Sequence, residues 1–164
     1  FGRYDKEKGI DTLLAAAKAL PQLHFVFAGS GAMAEEIQQL PNATDVGFCT
    51  GDDLYRRIAA AKCSIYPSVW YENCPYSVME SIALGTPVLA SGIGNVGASV
   101  RPGFDGLCFA PGDPAALAGA VRAMSAMQFD CTAIANATRR RFSAEENYKT
   151  LLKLYGRRAA EEVS

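Results

Sequence analysis

The sequence predicts an α/β fold of the doubly wound, Rossmann-like type, with a mostly parallel sheet flanked by helices. Short apolar runs of strand length alternate with stretches whose apolar residues recur at helical spacing. Glycine- and proline-containing turns separate these runs. Strands that alternate with helices form right-handed βαβ units, and such units bury both faces of a parallel sheet. We therefore expect ligands to bind beyond the carboxyl ends of the strands.

The composition is that of an ordinary globular protein. The chain has 164 residues, of which 49% are apolar and 20% are charged, with a formal net charge of -1. This length suits one domain with its own core, and no internal repeat or linker divides it. The small net charge gives no electrostatic argument for binding nucleic acid. Five scattered cysteines without a CxxC pair favour reduced thiols in a cytoplasmic protein over disulfides or a zinc site.

The first half of the chain contains three predicted strand–helix units. Apolar residues at helical spacing from Ile10 to Leu20 predict a helix that Pro21 ends. The predicted elements are, in order, a strand end at 1–3, a helix at 10–20, a strand at 25–28, a helix at 33–40, a strand at 45–48, and a helix that Asp52 or Asp53 caps and that runs to Ala61.

The second half continues this alternation and ends in three helices. The predicted elements are a strand at 63–66, a helix from Pro75 or Tyr76 to Gly85, a strand at 88–90, a glycine-rich loop at 92–106, a strand at 107–109, and helices at 115–127, 132–141 and 144–160. The last helix carries an apolar face formed by Tyr148, Leu151, Leu152 and Tyr155. No apolar run reaches the roughly 18 residues needed to span a bilayer, which leaves peripheral contact with the inner face of a membrane open.

The stretch 70–91 places two carboxylates, Glu72 and Glu80, eight positions apart. Pro75 suits the first turn of a helix, because its φ is already helical and its missing N–H would have no partner there. Gly85 can supply a left-handed cap at the end of that helix. A loop followed by a helix amino terminus offers free backbone N–H groups to an anion. The stretch therefore predicts an anion-binding site.

Several motifs then occur in an order that resembles a known family. They are 3–9 (Arg-Tyr-Asp-Lys-Glu-Lys-Gly), the E-x7-E pair Glu72 and Glu80, 83–88 (Ala-Leu-Gly-Thr-Pro-Val), 106–107 (Gly-Leu) and 111–113 (Pro-Gly-Asp). Together they resemble the retaining glycosyltransferases of the GT-B fold, the glycosyltransferase family 4, group 1 proteins that include glycogen-synthase-like and sucrose-synthase-like enzymes. The resemblance runs from residue 1 to about residue 155. It covers the C-terminal, donor-binding half of that architecture.

The resemblance implies roles for the charged residues and for the helix amino terminus. Arg3 and Lys8 would hold the donor diphosphate, which a guanidinium and an ammonium can neutralise together. Glu80 would accept hydrogen bonds from the two ribose hydroxyls, and Glu72 would meet the transferred sugar. Backbone N–H groups of Tyr76 and Ser77 would contact the phosphates. The alternatives are that the two cations are solvated at the surface and that Glu72 caps the helix.

Glycines and aromatic residues supply the remaining candidates. The resemblance implies that the base or ribose approaches the backbone closely at Gly29, at Gly31 and at the turn that contains Phe48. Plain tight turns at strand ends explain these residues equally well. Trp70 and Tyr71 either line the sugar pocket or pack beneath their loop. The loop 92–98 departs from the family pattern, since it lacks the acidic residue usual there.

The resemblance implies a nucleotide-sugar-binding domain over 1–164, with UDP or GDP in the donor. An N-terminal acceptor domain would lie outside this sequence, and the acceptor would be a sugar or glycolipid of bacterial surface polysaccharide or lipopolysaccharide. The expected chemistry is front-face transfer with retention, without metal or other cofactor, because the cations supply the charge. Alone, the domain would bind donor and not transfer. Two alternatives are a nucleotide-sugar epimerase of GT-B architecture and a non-catalytic nucleotide- or phosphate-binding module.

Overall fold

The computed structural model describes residues 1–161, with side chains described through Gly156. Its strands pair only in parallel and are joined by helices, which confirms the predicted α/β class. The strands are β1 (Gly2–Arg3), β2 (Phe25–Phe27), β3 (Gly29–Ser30), β4 (Ala43–Asp45), β5 (Ser64–Tyr66), β6 (Val88–Ser91) and β7 (Gly106–Phe109). The helices are α1 (Ile10–Lys18), α2 (Ala34–Gln38), α3 (Gly51–Ala60), α4 (Tyr76–Ala83), α5 (Gly94–Ala98), α6 (Pro114–Ala126), α7 (Cys131–Arg141) and α8 (Ala144–Glu161).

The strands form three parallel groups, ordered β1-β3, β2-β4 and β5-β6-β7. β3 follows β2 after one residue, so that β1 and β4 lie beside successive parts of one stretch of chain. In the last group β6 is central and fully buried. The carboxyl ends of parallel strands meet at one edge of a sheet, and the loops that carry the predicted site residues follow those ends.

Helices cover both faces of the sheet, as the doubly wound prediction requires. Along β6, Leu89 faces a core cluster built largely from α1 and α6, whereas Val88 and Ala90 face a second cluster under α4 and α7. Successive residues of a strand point to opposite faces, so burial of both faces needs a continuous apolar run. None of the described helices has the length and apolar composition needed to cross a bilayer.

Most predicted helices and strands are confirmed within a few residues, but three predictions are wrong. β4 ends at Asp45 instead of beginning there, because its register is set by pairing with β2 and because the Asp45 carboxylate accepts the Gly47 N–H, 2.9 Å away, in a turn. Thr50, not Asp52 or Asp53, precedes α3, and both aspartates lie in its first turn. The glycine-rich loop contains the short helix α5.

A side-chain cap and a proline begin α6. The Asp113 carboxylate accepts hydrogen bonds from the N–H groups of Ala115 and Ala116, each at 2.9 Å, and Pro114 occupies the first helical position. Helix α8 forms where predicted, but its apolar face is not buried. That face is exposed at Tyr148, Leu151, Leu152 and Tyr155.

We predict that Gly29→Ala lowers the free energy of unfolding by roughly 2 kcal/mol or more. A Cβ at this position would lie 1.8 Å from the Gly2 carbonyl oxygen, so β1 could not stay paired with β3. Urea unfolding followed by circular dichroism measures the change. Gly119→Ala is the matched control, because a Cβ added there would meet no atom within 4 Å and alanine favours helix α6 by about 0.5–1 kcal/mol. Equal stability of the two variants would contradict the prediction.

Candidate functional site

Hydrogen bonds join the loops at the carboxyl ends of β1, β5 and β6. The Glu7 carbonyl oxygen, in the β1–α1 loop, accepts the Val69 N–H at 3.1 Å and the Ser68 hydroxyl at 3.2 Å. The Ser68 carbonyl in turn accepts the Ser91 hydroxyl at 2.6 Å. The loops that follow β1 and β5 and the last residue of β6 are thus fixed against each other, as their positions at the carboxyl ends of parallel strands predict.

An ion pair between Lys8 and Glu72 lies where two of these loops meet. The Lys8 Nζ and Glu72 Oε1 atoms are 2.8 Å apart, and the two side chains are 33% and 24% exposed. The Lys8 backbone N–H donates to the Asp5 carboxylate at 3.0 Å, which fixes the loop around it. The structure therefore brings together two predicted site residues that are 64 positions apart in sequence.

Arg3 lies near this pair but is bound to carboxylates of its own loop. Its guanidinium is 2.9 Å from the Asp5 carboxylate and 3.9 Å from that of Glu7, and its side chain is 69% exposed. Arg3, Lys8, Glu72 and Ser77 line one cavity of about 340 Å³. Both predicted diphosphate ligands can therefore reach a common space, although each is paired with a carboxylate here.

The amino terminus of α4 differs in detail from the sequence expectation. The Tyr76 N–H donates to the Cys74 carbonyl at 2.9 Å, so that donor is already used. Within residues 1–161 the Ser77 N–H has no backbone acceptor, and it remains the available donor at this end. No side chain caps the helix. Glu72, bound to Lys8, therefore does not act as the cap that the alternative interpretation required.

Glu80 lies on α4 one turn after Ser77 and is partly buried. Among the described residues its carboxylate takes part in no ion pair and no hydrogen bond, in contrast to Glu72. Burial raises the pKa of the Tyr66 phenol most, and the negative charge of Glu80 raises that pKa further. A carboxylate of this kind retains its acceptor oxygens for a ligand.

Tyr66 is a site-positioning residue that sequence reasoning missed. Its buried hydroxyl donates to the Ser77 carbonyl at 2.7 Å and lies 2.7 Å from the Ser81 Oγ, which contacts the Ser64 Oγ at 2.9 Å. The hydroxyl of a strand residue thus fixes the first turn of α4. Burial raises the pKa of Tyr66 far above its usual value, so the phenol stays protonated. Its sequence position, at the end of an apolar strand, carries no signal of this contact.

The chain's own backbone occupies the space that Gly29 and Gly31 leave. A Cβ on Gly31 would lie 2.5 Å from the Tyr4 carbonyl oxygen, and a Cβ on Gly29 would lie closer still, 1.8 Å from the Gly2 carbonyl oxygen. Close approach of β1 is therefore sufficient to explain both glycines. Phe48 is 77% exposed, in a turn whose Gly47 carbonyl accepts the Gly29 N–H at 2.8 Å.

Aromatic side chains lie exposed around the β5–α4 loop. Trp70, Tyr71 and Tyr76 are 61%, 74% and 69% exposed, so they do not pack beneath the loop. The Tyr71 ring lies over Gly94 of α5, where a Cβ would be 2.8 Å from it. The Asn95 amide donates to the Asn73 carbonyl at 2.7 Å. The loop that departs from the family pattern thus supports the loop that contains Glu72.

No group of three or more histidine, cysteine or acidic side chains within the described part of the chain could hold a metal ion. His24 lies at the opposite end of β2, where its Nε2 is 3.0 Å from the Thr44 hydroxyl. The charged side chains that the structure places at the site are those of Arg3, Lys8, Glu72 and Glu80.

Comparison with known proteins gives consistent matches. The family model for glycosyl transferases of group 1 matches residues 1–143. A glycogen synthase of Mycobacterium tuberculosis is 30% identical over 161 residues, which are 92% of this chain and 39% of that protein. A lipopolysaccharide core biosynthesis glycosyltransferase of Rhizobium meliloti is 29% identical over 165 residues, 97% of this chain and 45% of that protein.

A solved structure matches the fold. The crystal structure of the Anabaena protein HepE in complex with UDP has a TM-score of 0.76 and 20% sequence identity, covering 94% of this chain and 48% of that one. This chain therefore spans less than half of the length of each of the three proteins.

We predict that Tyr66→Phe lowers the free energy of unfolding by about 1–2 kcal/mol, because the Ser77 carbonyl and the Ser81 hydroxyl both lose their hydrogen bond to the buried Tyr66 hydroxyl. Thermal and urea unfolding measure this change. Tyr55→Phe is the matched control, because Tyr55 lies on α3 with 42% of its surface exposed. Loss of its hydroxyl should change the free energy of unfolding by less than about 0.5 kcal/mol. Identical unfolding curves for the two variants would show that the hydroxyl does not fix α4.

Proposed function

Because this chain belongs to the group 1 glycosyl transferases, we propose that it is the donor-binding half of an enzyme that transfers a sugar from a nucleoside diphosphate sugar. The transfer retains the configuration of the anomeric carbon. The observation that carries the proposal is the 2.8 Å ion pair between Lys8 and Glu72, at the carboxyl edge of the parallel strands. It sets a cation for the diphosphate beside a carboxylate for the sugar.

In this proposal the ion pair separates when the donor binds. The diphosphate replaces Glu72 as the partner of the Lys8 ammonium. Arg3, which lines the same cavity, supplies a second cation. These charges stabilise the leaving diphosphate as its bond to the anomeric carbon breaks. The carboxylate of Glu72 then faces the positive charge that develops on that carbon. A metal ion is not needed for this step, because the two cations do the work that Mg²⁺ does elsewhere.

The nucleotide is held by the first two turns of α4. The Ser77 N–H donates to a phosphate oxygen at the helix amino terminus, where the helix dipole also favours negative charge. The Glu80 carboxylate accepts hydrogen bonds from the two ribose hydroxyls. The base lies toward Phe48, whose exposed ring offers a stacking surface. The related HepE structure contains UDP, which makes UDP the first candidate nucleotide.

The acceptor binds to a domain that lies outside this sequence. Its hydroxyl attacks the anomeric carbon on the face that the diphosphate leaves, and the leaving phosphate oxygen takes the hydroxyl proton. A sugar or glycolipid of bacterial surface polysaccharide is the proposed acceptor, supported by the similarity to a lipopolysaccharide core enzyme. The enzyme would work in the cytoplasm, with the glycolipid acceptor drawing it to the membrane surface.

Calorimetry with nucleotides tests the donor site. We expect one of UDP, GDP and ADP to bind with a dissociation constant on the order of 10–100 µM, and its sugar conjugate to bind as well. If none of the three nucleotides binds, the donor-domain proposal is wrong. Binding without transfer by the complete enzyme would favour the non-catalytic module, and inversion of the donor sugar without an acceptor would favour the epimerase.

We predict that Glu80→Gln weakens binding of the ribonucleotide by about tenfold or more, because the amide replaces a charged acceptor of two hydrogen bonds. Binding of inorganic pyrophosphate should change less than about twofold, since it has no ribose. Glu36→Gln on the exposed face of α2 is the control and should leave both affinities unchanged. Equal weakening of nucleotide and pyrophosphate would remove Glu80 from the ribose role.

A further inference from the structure

Both sequence neighbours of Glu72 contact helix α5. The Asn95 side-chain amide donates to the Asn73 carbonyl at 2.7 Å. The Tyr71 ring lies against Gly94, where a Cβ would be 2.8 Å from the Tyr71 Cδ1 atom and where the φ of 47° also favours glycine. The chain on each side of Glu72 is therefore held by one of the first two residues of α5.

Helix α5 is itself joined to the rest of the domain. Val96 is buried and belongs to the core cluster under α4 and α7. At the carboxyl end of α5, the Arg141 guanidinium donates to the Ser99 carbonyl at 3.0 Å. Alanine favours a helix more than asparagine does, so the contact with the loop, and not helix formation, explains the asparagine at position 95. The helix thus gives the loop a fixed support.

Few hydrogen bonds hold the loop at Glu72. Residues 71–73 lie outside the helices and strands. Within residues 1–161 they take part in two hydrogen bonds, one from Lys8 to the Glu72 carboxylate and one from Asn95 to the Asn73 carbonyl. Lys8 and Glu72 both line the candidate donor cavity. An anion in that cavity competes for the first bond, whereas the second bond lies on the α5 side of the loop.

We propose that Asn95 is a positioning residue for Glu72, and that its bond holds the loop once the diphosphate has replaced Glu72 as the partner of Lys8. The inference rests on the proposed function, in which the donor separates the ion pair. In the free protein two bonds hold the loop, so the loss of either one leaves Glu72 in place. In the donor complex the Asn95 bond remains and keeps the Glu72 carboxylate directed toward the sugar.

This arrangement divides donor binding into two parts. The nucleotide is bound by Ser77 and Glu80 of α4, which Asn95 does not contact. The sugar meets Glu72, whose loop rests on α5. Loss of the Asn95 amide therefore weakens binding of the sugar and leaves binding of the nucleotide unchanged.

Nuclear magnetic resonance of the ligand-free chain tests the two bonds without any nucleotide. The backbone order parameters of the Glu72 and Asn73 amides should stay near about 0.85 in Lys8→Met and in Asn95→Ala, because one bond is left in each. In the double variant Lys8→Met/Asn95→Ala they should fall below about 0.6. A fall in Lys8→Met alone would overturn the proposal, since Asn95 would then not hold the loop by itself.

Lys8→Met/Ser99→Ala is the matched control. The Ser99 hydroxyl donates to the Asn95 carbonyl at 2.6 Å and not to the loop, so its removal leaves the Asn95 amide in place. The Val69 amide, bonded to the Glu7 carbonyl, reports any change in the earlier part of the loop. Order parameters that stay high in Lys8→Met/Asn95→Ala, as in this control, would overturn the proposal.

Calorimetry with UDP and UDP-glucose connects the Asn95 bond to donor binding, because these two probes share the nucleotide and differ in the sugar. Asn95→Ala should raise the dissociation constant of UDP-glucose by about three- to tenfold, the effect of one lost hydrogen bond. The dissociation constant of UDP should change by less than about twofold, and Ser99→Ala should change neither. Equal weakening of both ligands, or of neither, would overturn the proposal. If the unaltered chain binds neither ligand, the donor-binding role is wrong, and the order parameters still decide whether Asn95 holds the loop.

Discussion

The ion pair between Lys8 and Glu72 is the interaction on which the candidate site depends. A pair that is about one third exposed contributes only about 1 kcal/mol to stability, so its importance lies in position and charge. The pair itself carries no net charge, and it places an ammonium and a carboxylate in one cavity, at the meeting point of the loops that follow β1 and β5. A ligand that carries a diphosphate and a developing cation can take over both halves of the pair. In the proposed function, such a ligand would meet both groups already in place.

Local sequence signals predicted the elements that depend on local physics. Pro75 and Gly85 bound α4 because one pre-sets a helical φ and the other adopts a left-handed φ of 86°. Asp113 caps α6 because its side chain reaches two free N–H groups. The alternation of strands and helices was enough for the fold class, and therefore for the edge at which Lys8 and Glu72 meet.

Features that depend on contacts between distant segments could not be predicted in this way. The register of β4 is set by its pairing with β2, which no residue near Asp45 reveals. Helix α5 is supported by Tyr71 and by the bond from Asn95 to the preceding loop, although its glycines favour a loop. The role of Tyr66 depends on the distance between a strand end and the first turn of a helix. Sequence reasoning identified the charged groups of the site but not the hydroxyl that positions its helix.

The parallel topology also has a kinetic consequence. The paired positions Gly2 and Gly29, Ser64 and Val88, and Val88 and Gly106 are separated by 27, 24 and 18 residues. Loop-closure entropy differs by only about 0.4 kcal/mol over this range, so chain length does not decide which pair forms first. The order of formation then depends on how much surface each pair buries. β6 is buried along its whole length, whereas both residues of β1 are exposed. We therefore expect the β5-β6-β7 group to nucleate folding and the loop that carries Lys8 to become ordered late.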